Sequence, residues 1–96
     1  MKVELSAEAH GQVLEIDAWW RENRSAAPDL FTEELDRVLL LLEARPNLGT
    51  PYDTGAKTVR RVLLRRSHYY LYFVERADML HVVAVWSVYR GRGPKL

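Results

Sequence analysis

The sequence predicts an α+β fold: a short N-terminal strand, an antiparallel helical hairpin and a three-stranded antiparallel meander, in the order β-α-α-β-β-β, with the helices packed on one sheet face. Three observations predict it. Apolar residues recur at helical spacing twice in the first half, runs rich in β-branched and aromatic residues fill the second half, and the connections within each half are short. The 96 residues, 48% of them hydrophobic, suit one core, so residues 1–96 are expected to form a single domain.

Val3 and Leu5 alternate with Lys2 and Glu4, the period-2 pattern of a half-buried strand. Ser6 then offers an N-cap, and Glu8 falls where the positive end of a helix favours an acid, so a helix should begin at Ala7. Ala9, Val13, Ile16 and Trp20 share one face of it, and it should fade near Asn23 to Ser25. Pro28 suits the first turn of a second helix. There Leu30, Phe31, Leu35, Val38, Leu39, Leu41 and Leu42 build a broad apolar arc that runs to Ala44 and stops before Pro46. From Asn47 to Lys57, Gly49, Pro51, Asp53 and Gly55 give a loop signal without periodicity. Val59 to Arg65, Tyr69 to Glu75 and Leu80 to Tyr89 read as the meander strands. The last is apolar on both faces, which fits a central strand covered on each side or one whose second face is kept for a partner.

Composition excludes several classes. Cysteine is absent, so neither a disulfide framework nor a thiolate metal site is available. No apolar run approaches the roughly eighteen residues of a membrane span, and Met1 to Gln12 lacks the blocks of an export signal, so a cytoplasmic protein off the membrane is expected. H-E-x-x-H, glycine-rich phosphate loops and the G-x-S-x-G elbow are all missing. His10, His68 and His81 have no companion carboxylates at ligand spacing, so neither a metal nor another cofactor is expected.

Charge is distributed unevenly. Residues 1–55 hold 5 Lys/Arg against 11 Asp/Glu, a net of −6, whereas residues 56–96 hold 9 against 2, a net of +7. Either the basic half meets an anionic partner or the two halves compensate each other within the fold. The basic half also interleaves cations with rings: Arg60, Arg61, Arg65 and Arg66 precede Tyr69, Tyr70 and Tyr72, and Arg90, Arg92 and Lys95 follow Tyr89. Guanidinium forks pair with phosphate oxygens and rings stack on bases, yet aromatics also favour strands on packing grounds alone. Strand alternation sends Arg60 and Arg66 to one face and Arg61 and Arg65 to the other, so the four cannot form one patch. On the hairpin, Leu40 points outside its own apolar arc, Trp19 sits at the edge of the first helical stripe and Leu14 lies off it, which nominates these three for a protein interface.

Taken together, these residues resemble the ParE/RelE superfamily of toxins from bacterial type II toxin–antitoxin modules, more closely the ParE side. The resemblance covers nearly the whole chain. It rests on Ala9, Val13, Ile16 and Trp19 in the first helix, the stretch Pro46-Asn47-Leu48-Gly49-Thr50-Pro51, Val59-Arg60-Arg61-Val62, the aromatic run Tyr69-Tyr70-Leu71-Tyr72-Phe73, and Trp86 to Arg92. It implies a toxin that inhibits DNA gyrase without a catalytic residue, is neutralised by a cognate antitoxin and forms a hetero-oligomer with it. It places Arg60, Arg61, Arg90 and Arg92 on the target side and Leu14, Trp19 and Leu40 on the antitoxin side. RelE-like members instead cut messenger RNA on the ribosome with sheet cations and a late tyrosine. Where those cations stand, this chain has Leu63 and Tyr70, and the late tyrosine falls near Leu96, although Arg61 and Arg90 do match basic positions. Many ParE-like chains place a His before the final basic residues, and this one has Val88-Tyr89-Arg90-Gly91-Arg92. An RNA endonuclease and a non-toxic antitoxin-binding relative are the alternatives.

Overall fold

A computed structural model describes residues 1–55 and 58–96. Strand β1 (Lys2–Leu5) ends at Ser6, whose hydroxyl takes the Ala9 N–H at 3.0 Å and caps helix α1 (Ala7–Asn23). That helix closes with the Arg24 N–H on the Trp20 carbonyl. Helix α2 (Leu30–Ala44) starts two residues after Pro28, which belongs to the preceding turn rather than to the helix. Its N-cap Asp29 makes no side-chain cap bond, because the carboxylate instead takes Arg21 Nη2 at 2.7 Å across the hairpin turn. This ion pair is exposed, so it registers the two helices while adding little stability.

Four more strands follow: β2 (Thr50–Asp53), β3 (Thr58–Leu64), β4 (Tyr69–Arg76) and β5 (Met79–Ser87). With β1 they form one sheet in the order β1-β5-β4-β3-β2, in which β1 runs parallel to β5 and the other neighbours are antiparallel. The fold is thus α+β with a helical hairpin on one sheet face, and it differs from the sequence expectation in one element. Strand β2 lies inside the stretch read as loop; Ala56 and Lys57 of that stretch are outside the described residues. The strand is short, lies at the sheet edge and contains Pro51, which an edge tolerates. Gly49 leads into it at φ 91, and a Cβ there would lie 2.7 Å from the Arg61 carbonyl oxygen, so only glycine lets the chain come this close to β3. Arg65, Val88 and Tyr89, expected at strand ends, fall in turns.

The sheet separates two apolar clusters. Under the helices, Ala9, Trp20, Phe31, Leu35 and Leu42 pack on Leu64, Leu71, Phe73, Leu80, Val82 and Val85. On the other face, Val59, Tyr72 and Ala84 form a smaller cluster with Tyr52, Tyr70, Val74, Val83, Trp86 and Leu96 against it. A register shift makes this possible: Tyr72 pairs with Ala84 but Phe73 with Val82, so Val83 is an extra residue and both it and Ala84 face the second cluster. The apolar third run is therefore a central strand with packing on each face.

One buried polar contact ties hairpin to sheet. Glu34 on α2, 6% exposed, accepts the Arg66 N–H at 2.8 Å on one oxygen and the Ser67 N–H and hydroxyl at 2.8 and 2.7 Å on the other. Burial alone would push this carboxyl up, but the Ser67 hydroxyl, the two backbone donors and the Arg66 charge outweigh it and hold the group below its ordinary value of 4.5. The unfolded chain consequently takes up the proton first as acid is added, so the Glu34 contribution is full above that ordinary value and is lost as pH falls through the folded-state value. Glu34→Gln turns one acceptor into a donor facing N–H groups and is expected to cost about 2 kcal/mol at neutral pH. Urea titrations at neutral pH and near pH ~3 check this, since the gap between wild type and variant should narrow in acid; a pH-independent gap would contradict the assignment.

Candidate functional site

Alternation along β3 parts Arg60 from Arg61, and their surroundings give them different tasks. Arg60 turns to the helix side, where its guanidinium lies 5.4 Å from the Phe73 ring centroid and donates to the Pro46 carbonyl at 3.0 Å and to the Leu48 carbonyl. It fastens the segment between α2 and β2. Arg61 turns to the helix-free face, its guanidinium 4.0 Å from the Tyr70 ring centroid, 5.0 Å from that of Tyr52 and 6.0 Å from that of Tyr72. These rings are supplied by β4 and β2, so the edge strand that the sequence concealed provides one wall of the site. Arg65 and Arg66 lie in the turn after β3, and the strand alternation expected for them does not apply.

Tyr72 is 1% exposed, and its oxygen accepts Arg61 Nη1 at 3.3 Å. Burial raises its phenol above the ordinary value of 10.0, and the Arg61 contact offsets this only in part. At neutral pH the group is a neutral phenol and a poor proton acceptor. The arrangement can therefore hold a positive charge among π-faces and attract an anion or an aromatic group, without supplying a general base from Tyr72. No carboxylate among the described residues lies within ion-pair distance of Arg61, Arg90 or Arg92; the ion pairs there join Lys2 to Glu4 and Arg21 to Asp17 and Asp29.

After β5 the chain doubles back over this face. Trp86 receives the Arg90 guanidinium 4.0 Å above its ring and donates Nε1–H to the Arg92 carbonyl at 2.7 Å. Farther on, Gly93 presses against the Tyr52 hydroxyl so closely that a Cβ would force either the Tyr52 ring or the tail to move, and Leu96 joins the second apolar cluster. Three of the four arginines expected on the target side, Arg61, Arg90 and Arg92, thus belong to the strands and tail of one face, and Arg60 to the other. Trp86 and Tyr52 were missed as organisers of that face. The only local signal was the flexible Gly91-Arg92-Gly93 triplet, which permits a reversal without specifying it.

Leu14, Trp19 and Leu40 are exposed, Leu40 to 68%. Leu14 and Leu40 point away from the buried faces of their helices, and Trp19 lies about 140° around α1 from Leu14 at the helical rise of ~100° per residue. They do not make one flat patch, and a partner touching all three must wrap around the hairpin. Leu41, read as part of the buried arc, is 42% exposed beside Leu40, because α2 seats on the sheet through Phe31, Leu35 and Leu42 and leaves that edge of the arc uncovered.

Among the described residues no group of His, Asp or Glu is arranged to hold a metal ion, and no helix is long and apolar enough to cross a membrane. No protein-family model matches the chain, and no curated protein matches it.

Gly93 offers a direct probe of the tail. Gly93→Ala should dislodge it from Tyr52 and speed tryptic cleavage at the Arg90–Gly91 bond severalfold, with little change in thermal unfolding of the domain. Removing the obstructing hydroxyl with Tyr52→Phe in the same chain should restore part of the protection. Equal cleavage rates in wild type and Gly93→Ala would mean that the tail is not held there.

Proposed function

We propose that this chain is a ParE-like toxin of a type II toxin–antitoxin module, acting on DNA gyrase by binding and neutralised by a cognate antitoxin. The element order and the quoted residue stretches carry the resemblance to that superfamily. The observation that favours binding over hydrolysis is the setting of Arg61, which is enclosed by Tyr52, Tyr70 and Tyr72 with no carboxylate at ion-pair distance among the described residues. RNA cleavage through the 2′-hydroxyl needs a proton acceptor beside cations that stabilise the phosphorane charge. The phenol in contact with Arg61 is raised rather than lowered, which suits a fixed binding surface better than acid–base work.

On this reading Arg61, Arg90 and Arg92 meet the target, and the antitoxin wraps the hairpin through Leu14, Trp19 and Leu40. A segment that folds as it binds suits residues that point to different sides. The cationic and aromatic composition of the same face favours a second reading, an mRNA endonuclease acting on the ribosome. Primer extension separates the two, because cleavage in the ribosomal A site leaves codon-phased RNA ends whereas gyrase inhibition is read as lost supercoiling.

Loss of colony-forming units is expected after induction of the chain alone and is expected to be reversed by Arg90→Ala with Arg92→Ala. Neither substitution should unfold the domain, since the Arg90 stack on Trp86 is an exposed contact worth about 0.5–1 kcal/mol and the Arg92 contact uses its backbone carbonyl. Undiminished toxicity in the folded double variant removes both residues from the target side. Normal growth with wild-type protein present in folded form supports the non-toxic relative instead.

A further inference from the structure

A groove of about 1110 Å³ runs between α1 and the outer edge of β5, on the opposite side of β5 from its pairing with β4, and ends at the turn joining β3 to β4. It adjoins the helix-free face, sharing Trp86 and Arg90 with it, while Arg61 itself does not line it. Strand β1 pairs with β5 only as far as Val82, so the rest of that edge has no strand neighbour. An added peptide strand is nevertheless not invited at its centre, because Gln12 Oε1 already takes the Val85 N–H at 2.7 Å. What the groove presents is side-chain chemistry. At its far end Trp19, Arg24, Arg66, His68 and Tyr89 line one concavity, while Arg90 lines the groove farther back, where it also shares a neighbouring pocket with Glu8 and Gln12.

The groove sets rings beside cations. The Arg24 guanidinium lies 5.1 Å from the Trp19 ring centroid, the Arg90 guanidinium covers Trp86, and His68 meets Tyr89 edge-on at 5.6 Å. Tyr89 is 78% exposed, so one ring face is open to stacking. Arg24, Arg66 and Arg90 have no carboxylate within ion-pair distance among the described residues; the nearest buried acid, Glu34, spends its oxygens on the turn backbone and on Ser67. Glu8 lines the groove near the start of α1 and Glu15 at its middle, one turn before Trp19, so an anion is favoured at the end beyond them, where Arg24 and Arg66 stand. The floor is rigid, since Trp20 Nε1–H donates to the Tyr69 oxygen at 3.1 Å and the His68 carbonyl takes the Val88 N–H at 3.0 Å.

We infer that this end of the groove binds a base–phosphate unit, the base stacking on Tyr89 or Trp19 and the phosphate held by Arg24 and Arg66. Guanidinium groups next to open rings match a nucleotide better than an acidic peptide, which offers carboxylates but no ring to stack. The same chemistry comes from a single-stranded nucleic acid or from a free nucleotide. The inference does not depend on the toxin reading, because it is tested with purified protein.

Fluorescence anisotropy of a short fluorescein-labelled single strand, in DNA and RNA versions, is the test. Binding that weakens as salt rises is expected. Arg24→Ala, Arg66→Ala and Tyr89→Ala should each weaken it about fivefold or more, while Arg76→Ala, which removes one exposed cation at the other end of β4, should leave it unchanged. Competition identifies the source: displacement by AMP alone points to a free nucleotide, and displacement only by unlabelled strand points to nucleic acid. Three outcomes would overturn the inference: no saturable binding by either strand or AMP, an equal effect of Arg76→Ala, or displacement by a polyglutamate peptide as effective as that by the strand.

Discussion

Glu34 is a buried carboxylate, and because its oxygens receive two backbone N–H groups and a hydroxyl from residues 66 and 67, helix α2 and the β3–β4 turn meet at a fixed point. A buried charge without such donors would cost several kcal/mol, so the turn must keep this shape whenever the hairpin is docked. Its consequences run outward from there. The turn passes through His68 at φ 68, and the His68 carbonyl then takes the Val88 N–H, which fixes where β5 gives way to the tail. The next residue, Tyr69, packs edge-on against Phe31 of α2 and accepts from Trp20 of α1, so both helices are referenced to the same few residues.

From that anchored end the sheet builds two unlike faces. Helices cover one, and the other is closed by strand side chains and the returning tail, with the extra residue in β5 turning Val83 and Ala84 together toward the second cluster. Tyr52 shows how little cover the second face has. Its ring must reach from the edge strand to lie 4.9 Å from Tyr72 on β4, and its hydroxyl abuts Gly93. The face with the thinnest apolar cover is also the one that carries Arg61, so its polar chemistry and its packing use the same rings.

Much of this organisation was legible in the sequence. Both limits of α1 and the end of α2 followed from Ser6, from the spacing of Ala9, Val13, Ile16 and Trp20, and from the arc that ends at Ala44, because caps and 3.6-residue periodicity are local properties, whereas α2 starts at Leu30, past the Pro28 expected in its first turn. Strand β2 was not legible. Four residues with a proline carry no usable alternation, and their pairing depends on β3, across Gly49 and a connection that no local pattern specifies. The separation of Arg60 from Arg61 could be read from strand alternation, but their fates could not: Arg60 depends on where Pro46 and Leu48 place their carbonyls, and Arg61 on rings from two other strands. Leu14 and Leu40 were readable as outward residues from helical angle alone. Leu41 was misplaced because the seating of α2 on the sheet, rather than the width of its apolar arc, decides which edge of the arc is buried.

The uneven charge now has a structural expression. Within the described residues no ion pair joins the acidic hairpin to the basic half, and the polar links between them at Glu34, Gln12 and Trp20 use backbone N–H groups, a hydroxyl and a phenol rather than opposite charges. The charges of the two halves are therefore not consumed by folding, and the basic half keeps its field outside the molecule. Holding Arg61 half-buried among rings costs it hydration, and the ring quadrupoles return only part of that in the absence of a neighbouring carboxylate. A surface built this way gains more from an approaching anion than a solvated lysine would, since the desolvation has already been met by the fold. That is the physical ground for reading the helix-free face as a recognition surface whatever polyanion or acidic protein it meets.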